Sequence, residues 1–120
     1  MSVDLKEKVA SYFEGTRSGS AAKWMSAFAS NAIVDDPVGT PNKTTQAEIK
    51  AMGEGFLGAF ESIGLHEEFV HVVGNEAVAR WTGRGRTHDG QDVQFDGINY
   101  FEFNDAGEIV LLRGFFTPPG

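Results

Sequence analysis

Apolar residues recur at helical spacing in the first half of the chain, whereas the second half alternates apolar and polar residues between tight turns, and nowhere do strand and helix patterns interleave. These three observations predict an α+β fold. The expected form is a curved antiparallel sheet wrapped around a long helix, a cone-shaped, cystatin-like α+β barrel, preceded by two N-terminal helices. A chain of 120 residues suits one domain spanning 1–120.

The first helix follows from Leu5, Val9, Tyr12, Phe13 and Thr16, and a second from Ala21, Trp24, Met25 and Phe28 after the break at Ser18-Gly19-Ser20. Ile33-Val34-Asp35-Asp36 reads as a short extended segment, closed by Pro37 and Gly39 and followed by a loop through Thr44. Thr45 and Glu48 have capping-box spacing and open a third helix. Its buried stripe is Ile49, Met52, Phe56, Phe60 and Ile63, with Gly64 in the position of a C-cap glycine. From His66 onward, turn signals at Gly74-Asn75, Asp89-Gly90 and Asn104 to Gly107 divide the chain into a meander of about four strands.

Composition removes several classes of function. Hydrophobic residues make up 41% and include 10 Phe, which excludes a disordered chain. Ten basic against 17 acidic side chains leave a net charge of -7, so phosphate backbones and anionic lipid surfaces are repelled and neither nucleic acid nor membrane is an expected partner. Zero cysteine removes disulfides, thiolate catalysis and Cys-based zinc sites, and His66, His71 and His88 lack metal-ligand spacing. No run approaches the ~18 apolar residues of a membrane helix, and no secretory signal opens the chain, so a cytoplasmic location is expected. Gly53, Gly55 and Gly58 match a dinucleotide fingerprint, but they lie within a helical pattern and follow no strand, so no cofactor is expected. Arg80, Arg84 and Arg86 alternate with Ala79, Trp81, Gly83 and Gly85, the pattern of a solvated strand face.

Parity singles out an amide. In the strand from Val93 to Phe103, Val93, Phe95, Gly97, Phe101 and Phe103 share one face with Asn99. An amide among aromatics needs a partner, either structural or a ligand, because leaving it unpaired costs about 1–3 kcal/mol. Asp96 and Glu102 have the opposite parity and face water unless Gly97 marks a bulge. Asp36 precedes Pro37, which holds it extended at a strand end with Asp35 pointing the other way. It is either a turn residue or, if it faces an apolar cavity, a general base. Tyr12 lies on the apolar stripe of the first helix, so its hydroxyl also needs a partner.

Ile33-Val34-Asp35-Asp36-Pro37-Val38-Gly39 with Ala47-Glu48-Ile49, and Ile98-Asn99-Tyr100-Phe101-Glu102-Phe103-Asn104 with Arg113-Gly114-Phe115-Phe116, resemble the steroid Δ5-isomerase (ketosteroid isomerase) family of the nuclear transport factor 2-like, or SnoaL-like, superfamily. The resemblance covers nearly the whole chain. It implies that Asp36 takes the place of the general base moving a proton between carbons of a 3-oxo-Δ5-steroid or similar ketone, without a cofactor. Tyr12 falls at the place of the tyrosine that donates to the dienolate oxygen. Asn99 stands where the family has a protonated aspartic acid, the second donor of its oxyanion hole. An amide still donates a hydrogen bond, so weakened rather than absent isomerase activity is implied. Phe56, Phe60, Trp81, Phe95, Phe101 and Phe116 are candidates for the wall of a pocket for a small apolar ligand such as a polycyclic ketone. The last strand is apolar on both faces, which with the family's habits implies a homodimer. A polyketide-cyclase-like enzyme and a non-catalytic binder of hydrophobic ligands are the alternatives on the same fold.

Overall fold

A computed structural model describes residues 3–118. Helix α1 (Leu5–Thr16) is capped by Asp4, whose side chain accepts from the Lys6 and Glu7 amides. A turn through Gly19, at φ 72°, leads to the short α2 (Ala21–Met25), capped by Ser20. Strand β1 (Phe28–Asp35) follows, then α3 (Gln46–Gly58), β2 (Ser62–Val73), β3 (Glu76–Arg86), β4 (Asp92–Phe103) and β5 (Ile109–Phe116). Around the N-terminus of α3 the capping box is complete: the Thr45 hydroxyl accepts from the Glu48 amide at 3.1 Å, and Glu48 Oε1 accepts from the Thr45 amide at 3.2 Å.

The sheet order is β1-β5-β4-β3-β2, curved and not closed into a barrel. Strands β2 to β5 form the expected antiparallel meander. The first strand departs from expectation. It begins at Phe28, which the helical spacing had assigned to the second helix, and it pairs in parallel with β5, Val34 opposite Leu112 and Asp35 opposite Arg113. The ring of Phe28 stays in the core, 4.8 Å from Trp24, so burial is kept while the backbone takes the ladder.

A second correction concerns the end of α3. The helix stops at Gly58 with Ala59 as its C-cap, so Phe60, Ile63 and Gly64 do not continue its stripe, and β2 starts at Ser62 rather than at His66. Pairing with β3 decides this: Ser62 lies opposite Arg86, Ile63 opposite Gly85, and the Glu61 amide donates to the Arg86 carbonyl. Helix-weakening glycines on one side and a full ladder on the other outweigh the apolar spacing. Gly64 packs against Arg17 in β2 instead of capping a helix. His88 Nε2, in the β3–β4 turn, lies 2.8 Å from the Gly58 carbonyl and ties the end of α3 to the sheet.

Parity in β4 is as expected: Asn99, Phe101 and Phe103 are buried while Asp96 and Ile98 are exposed. Gly97 is no bulge, since the β3–β4 register runs through it unbroken. The inner face of the sheet meets Val9, Tyr12 and Phe13 of α1, and with Ile49, Phe101, Ile109 and Leu112 these form one core. Each such side chain contributes about 1.5–3 kcal/mol by leaving water. The outer face is different. Ile33, Val78, Ile98 and Phe115 are exposed there, with Ile98 and Phe115 directly opposite each other. Among the described residues, no helix is long and apolar enough to cross a membrane, and no cluster of His, Cys, Asp and Glu could hold a metal.

Candidate active site

A cavity of about 100 Å³ opens between the helices and the inner face of the sheet. Tyr12 and Thr16 reach it from α1, Trp24 from α2, Met52, Gly53, Phe56 and Leu57 from α3, and Leu65, Trp81, Asn99 and Phe116 from the sheet. Asp36 and Pro37 close it from the end of β1. Three elements that the sequence could only treat separately therefore place Tyr12, Asp36 and Asn99 on one wall system.

Among the described residues Asp36 is the only carboxyl lining this cavity, and it is 9% exposed with its Oδ1 lacking a hydrogen-bond partner there. Loss of water around it pushes its pKa up to about 6, with Lys43 pulling it back and Asp35 adding to the rise. Asp35 itself faces the other way, as its parity requires, and accepts from Arg113 Nε at 3.0 Å. The space for the Asp36 carboxyl is made by a residue with no side chain. A Cβ on Gly114 of β5 would stand 2.1 Å from Asp36 Oδ1, and the Val38 amide donates to the Gly114 carbonyl just beyond. Sequence reasoning missed Gly114, although a lone glycine sharing inward parity with Leu112 and Phe116 inside an apolar strand is the mark of a close approach. Gly114→Ala is expected to drive the Asp36 carboxyl out of place and lower any Asp36-dependent turnover at least tenfold, measured as kcat beside an unchanged circular dichroism spectrum.

Tyr12 is 2% exposed, its ring edge-on to Phe13 and Phe101 at 5.1 Å each. Burial raises its pKa and the Asp36 charge raises it further, so the hydroxyl stays protonated and remains a donor. Asn99 is 1% exposed; its Oδ1 accepts from Trp81 Nε1 at 3.0 Å and its Nδ2 has no partner among the described residues.

Of the six aromatic wall candidates, Phe56, Trp81 and Phe116 line the cavity. Phe60, Phe95 and Phe101 do not. Phe95 stands behind the wall, 5.7 Å from Trp81 and 5.9 Å from Phe116, and Phe60 stacks on Phe95. Phe101 is fully buried under Tyr12. Thr16, Trp24, Met52, Leu57 and Leu65 line the cavity without having been singled out, because their spacing marks them as core and nothing local distinguishes core from cavity wall.

The open cone of five strands with helices over its inner face is the nuclear transport factor 2-like architecture. It superimposes with a TM-score of 0.85 on SalBIII, an epoxide hydrolase/cyclase-like enzyme in pyran ring formation in polyether salinomycin, over 94% of this chain and 90% of that one at 19% identity. An NTF2-like protein of unknown function from Exiguobacterium sp. 255-15 superimposes at 0.77 over 93% and 99%, at 17% identity. The chain belongs to the SnoaL-like domain family, whose model matches residues 9–112. It is also similar to a steroid Delta-isomerase of Nocardioides simplex, 29% identical over 119 residues, covering 98% of this chain and 94% of that protein.

Proposed function

We propose that the chain is a cofactor-independent isomerase that moves a carbon–carbon double bond in a 3-oxo-Δ5-steroid or similar ketone. Asp36 takes a proton from the carbon between the carbonyl and the double bond, and the electron pair moves onto the ketone oxygen to give a dienolate. Tyr12 O–H and the Asn99 NH₂ donate to that oxygen, and Asp36 returns the proton to the far end of the former double bond. The observation that supports this reading is that, among the described residues, one carboxyl lines the apolar cavity wall with Oδ1 unpartnered, beside a neutral tyrosine and an amide whose Nδ2 is unpartnered. One carboxyl on the cavity wall, with Asp35 turned away onto Arg113, suits proton transfer between two carbons of one substrate.

The cavity is smaller than pockets for drug-sized ligands, which run from about 300 Å³, and nearer the ~150 Å³ that accepts a single benzene ring. Most of a polycyclic substrate would therefore lie outside this enclosed volume. The test follows the ultraviolet absorbance of the conjugated enone after mixing with a β,γ-unsaturated 3-oxosteroid and, in parallel, with cyclohex-3-enone. Product from at least one of them is expected; none from either overturns the reading.

The same proposal extends to assembly: two copies pair through the outer face of the sheet, burying Ile98 and Phe115, which are 49% and 42% exposed in the single chain. Sedimentation is expected to give a dimer for the natural chain and a monomer for Ile98→Asp.

A further inference from the structure

We infer that Trp81 is a positioning residue: its indole N–H fixes the Asn99 amide so that the NH₂ is presented to the cavity, selecting ligands that place a hydrogen-bond acceptor, such as a ketone oxygen, at that point. An indole nitrogen can only donate, so the amide atom facing it must be the oxygen. The 3.0 Å bond from Trp81 Nε1 to Asn99 Oδ1 thus assigns the orientation of an amide whose two ends are otherwise hard to tell apart. The consequence is Nδ2, which is buried and has no partner among the described residues. Leaving such a donor unpaired is unfavourable in a folded core, and Asn99 lines the cavity, where a ligand acceptor would satisfy it.

The indole is itself held. Gly97 lies opposite Trp81 across the β3–β4 pair, and a Cβ there would come within 2.5 Å of Trp81 Cζ2. Phe95 and Phe116 meet the ring edge-on at 5.7 and 5.4 Å. The indole is therefore packed on the Gly97, Phe95 and Phe116 sides. The bond also accounts for an amide at this position, since an indole N–H beside a carboxyl favours the ionised form, and a second negative charge would oppose both Asp36 ionisation and an enolate.

The inference deepens the isomerase reading but rests on it only for the ketone as acceptor, so its test uses binding and not turnover. 1-Tetralone, which carries a carbonyl acceptor, and tetralin, which lacks one, are titrated calorimetrically into the natural chain, Trp81→Phe, Asn99→Leu and the double variant, each checked for folding by circular dichroism. The natural chain is expected to prefer tetralone. Trp81→Phe is expected to reduce that preference about five- to tenfold, the worth of one hydrogen bond, whatever packing loss the two ligands share. In the Asn99→Leu background the same substitution should leave the preference unchanged, because there is no amide to orient.

An equal loss for both ligands in Trp81→Phe, the same reduction with or without Asn99, or no preference for tetralone in the natural chain would each overturn the inference. The expected binding pattern together with silence in the enone assay would leave Trp81 in this role and remove the isomerase reading alone.

Discussion

Asp36→Asn is expected to lower the isomerisation rate by about 10²–10⁴-fold at pH 8, the range a positioned general base contributes. An amide of the same shape fills the space beside Gly114 but cannot accept and return the proton. The enone assay measures it, and turnover within tenfold of the natural chain in a folded variant would remove Asp36 from the mechanism. The effect should depend on pH, because only the carboxylate takes a proton. With its pKa pushed up to about 6, the natural chain should gain activity as pH rises through that value and level off above it.

Stability should move in the opposite direction. In the unfolded chain the Asp36 carboxyl titrates near 3.8, and in the folded chain at about 6. Between about pH 4 and pH 6 the folded state therefore holds a proton that the unfolded state has lost. The stability present below this window is lost as pH rises through it, by roughly 2–3 kcal/mol in all, and the curve is flat above. Asp36→Asn carries no such charge. Urea unfolding at pH 8 should thus find the inactive variant more stable than the active chain, with the difference shrinking at pH 4. An equal or lower midpoint for the variant at pH 8 would mean that the buried carboxylate is compensated by partners. The desolvation that makes Asp36 a useful base is a burden on the fold.

Much of this could be read along the chain, where each signal is local. The Asp4 and Thr45 caps, the stripe of α1 and the alternation of β4 depend on neighbours within a few residues, and Asn99 was aimed inward by parity alone. What could not be read depends on partners distant in sequence. Phe28 looked helical because its burial is the same in either conformation, and only its pairing with Ile109 makes it a strand residue. The bond from Trp81 to Asn99 needs the register that sets Trp81 against Gly97 and Ala79 against Asn99. Gly114 matters only because β1 runs parallel to β5 and delivers the Asp36 carboxyl over it. Phe60, Phe95 and Phe101 differ from Phe56 and Phe116 by one layer of packing, a distinction that apolar spacing does not contain.

Tyr12→Phe is expected to lower kcat by about 10²–10³-fold with KM changed much less, the pattern of a donor that matters mainly when charge develops on the substrate oxygen. The phenylalanine ring keeps the edge contacts with Phe13 and Phe101, so the melting temperature should hardly move. The hydroxyl is suited to this task because burial and the Asp36 charge keep it protonated while the base ionises. A proton can then leave the substrate for Asp36 without competition from the donor. Were the hydroxyl only a packing or ground-state binding group, KM would rise and kcat would stay, and that split is the decisive reading. Asn99→Leu should show the same pattern to a smaller degree, since a neutral amide is a weaker acid than a phenol. Loss of both donors should then leave Asp36 able to meet the substrate but with no group to hold the dienolate, and turnover in the double variant should approach that of Asp36→Asn.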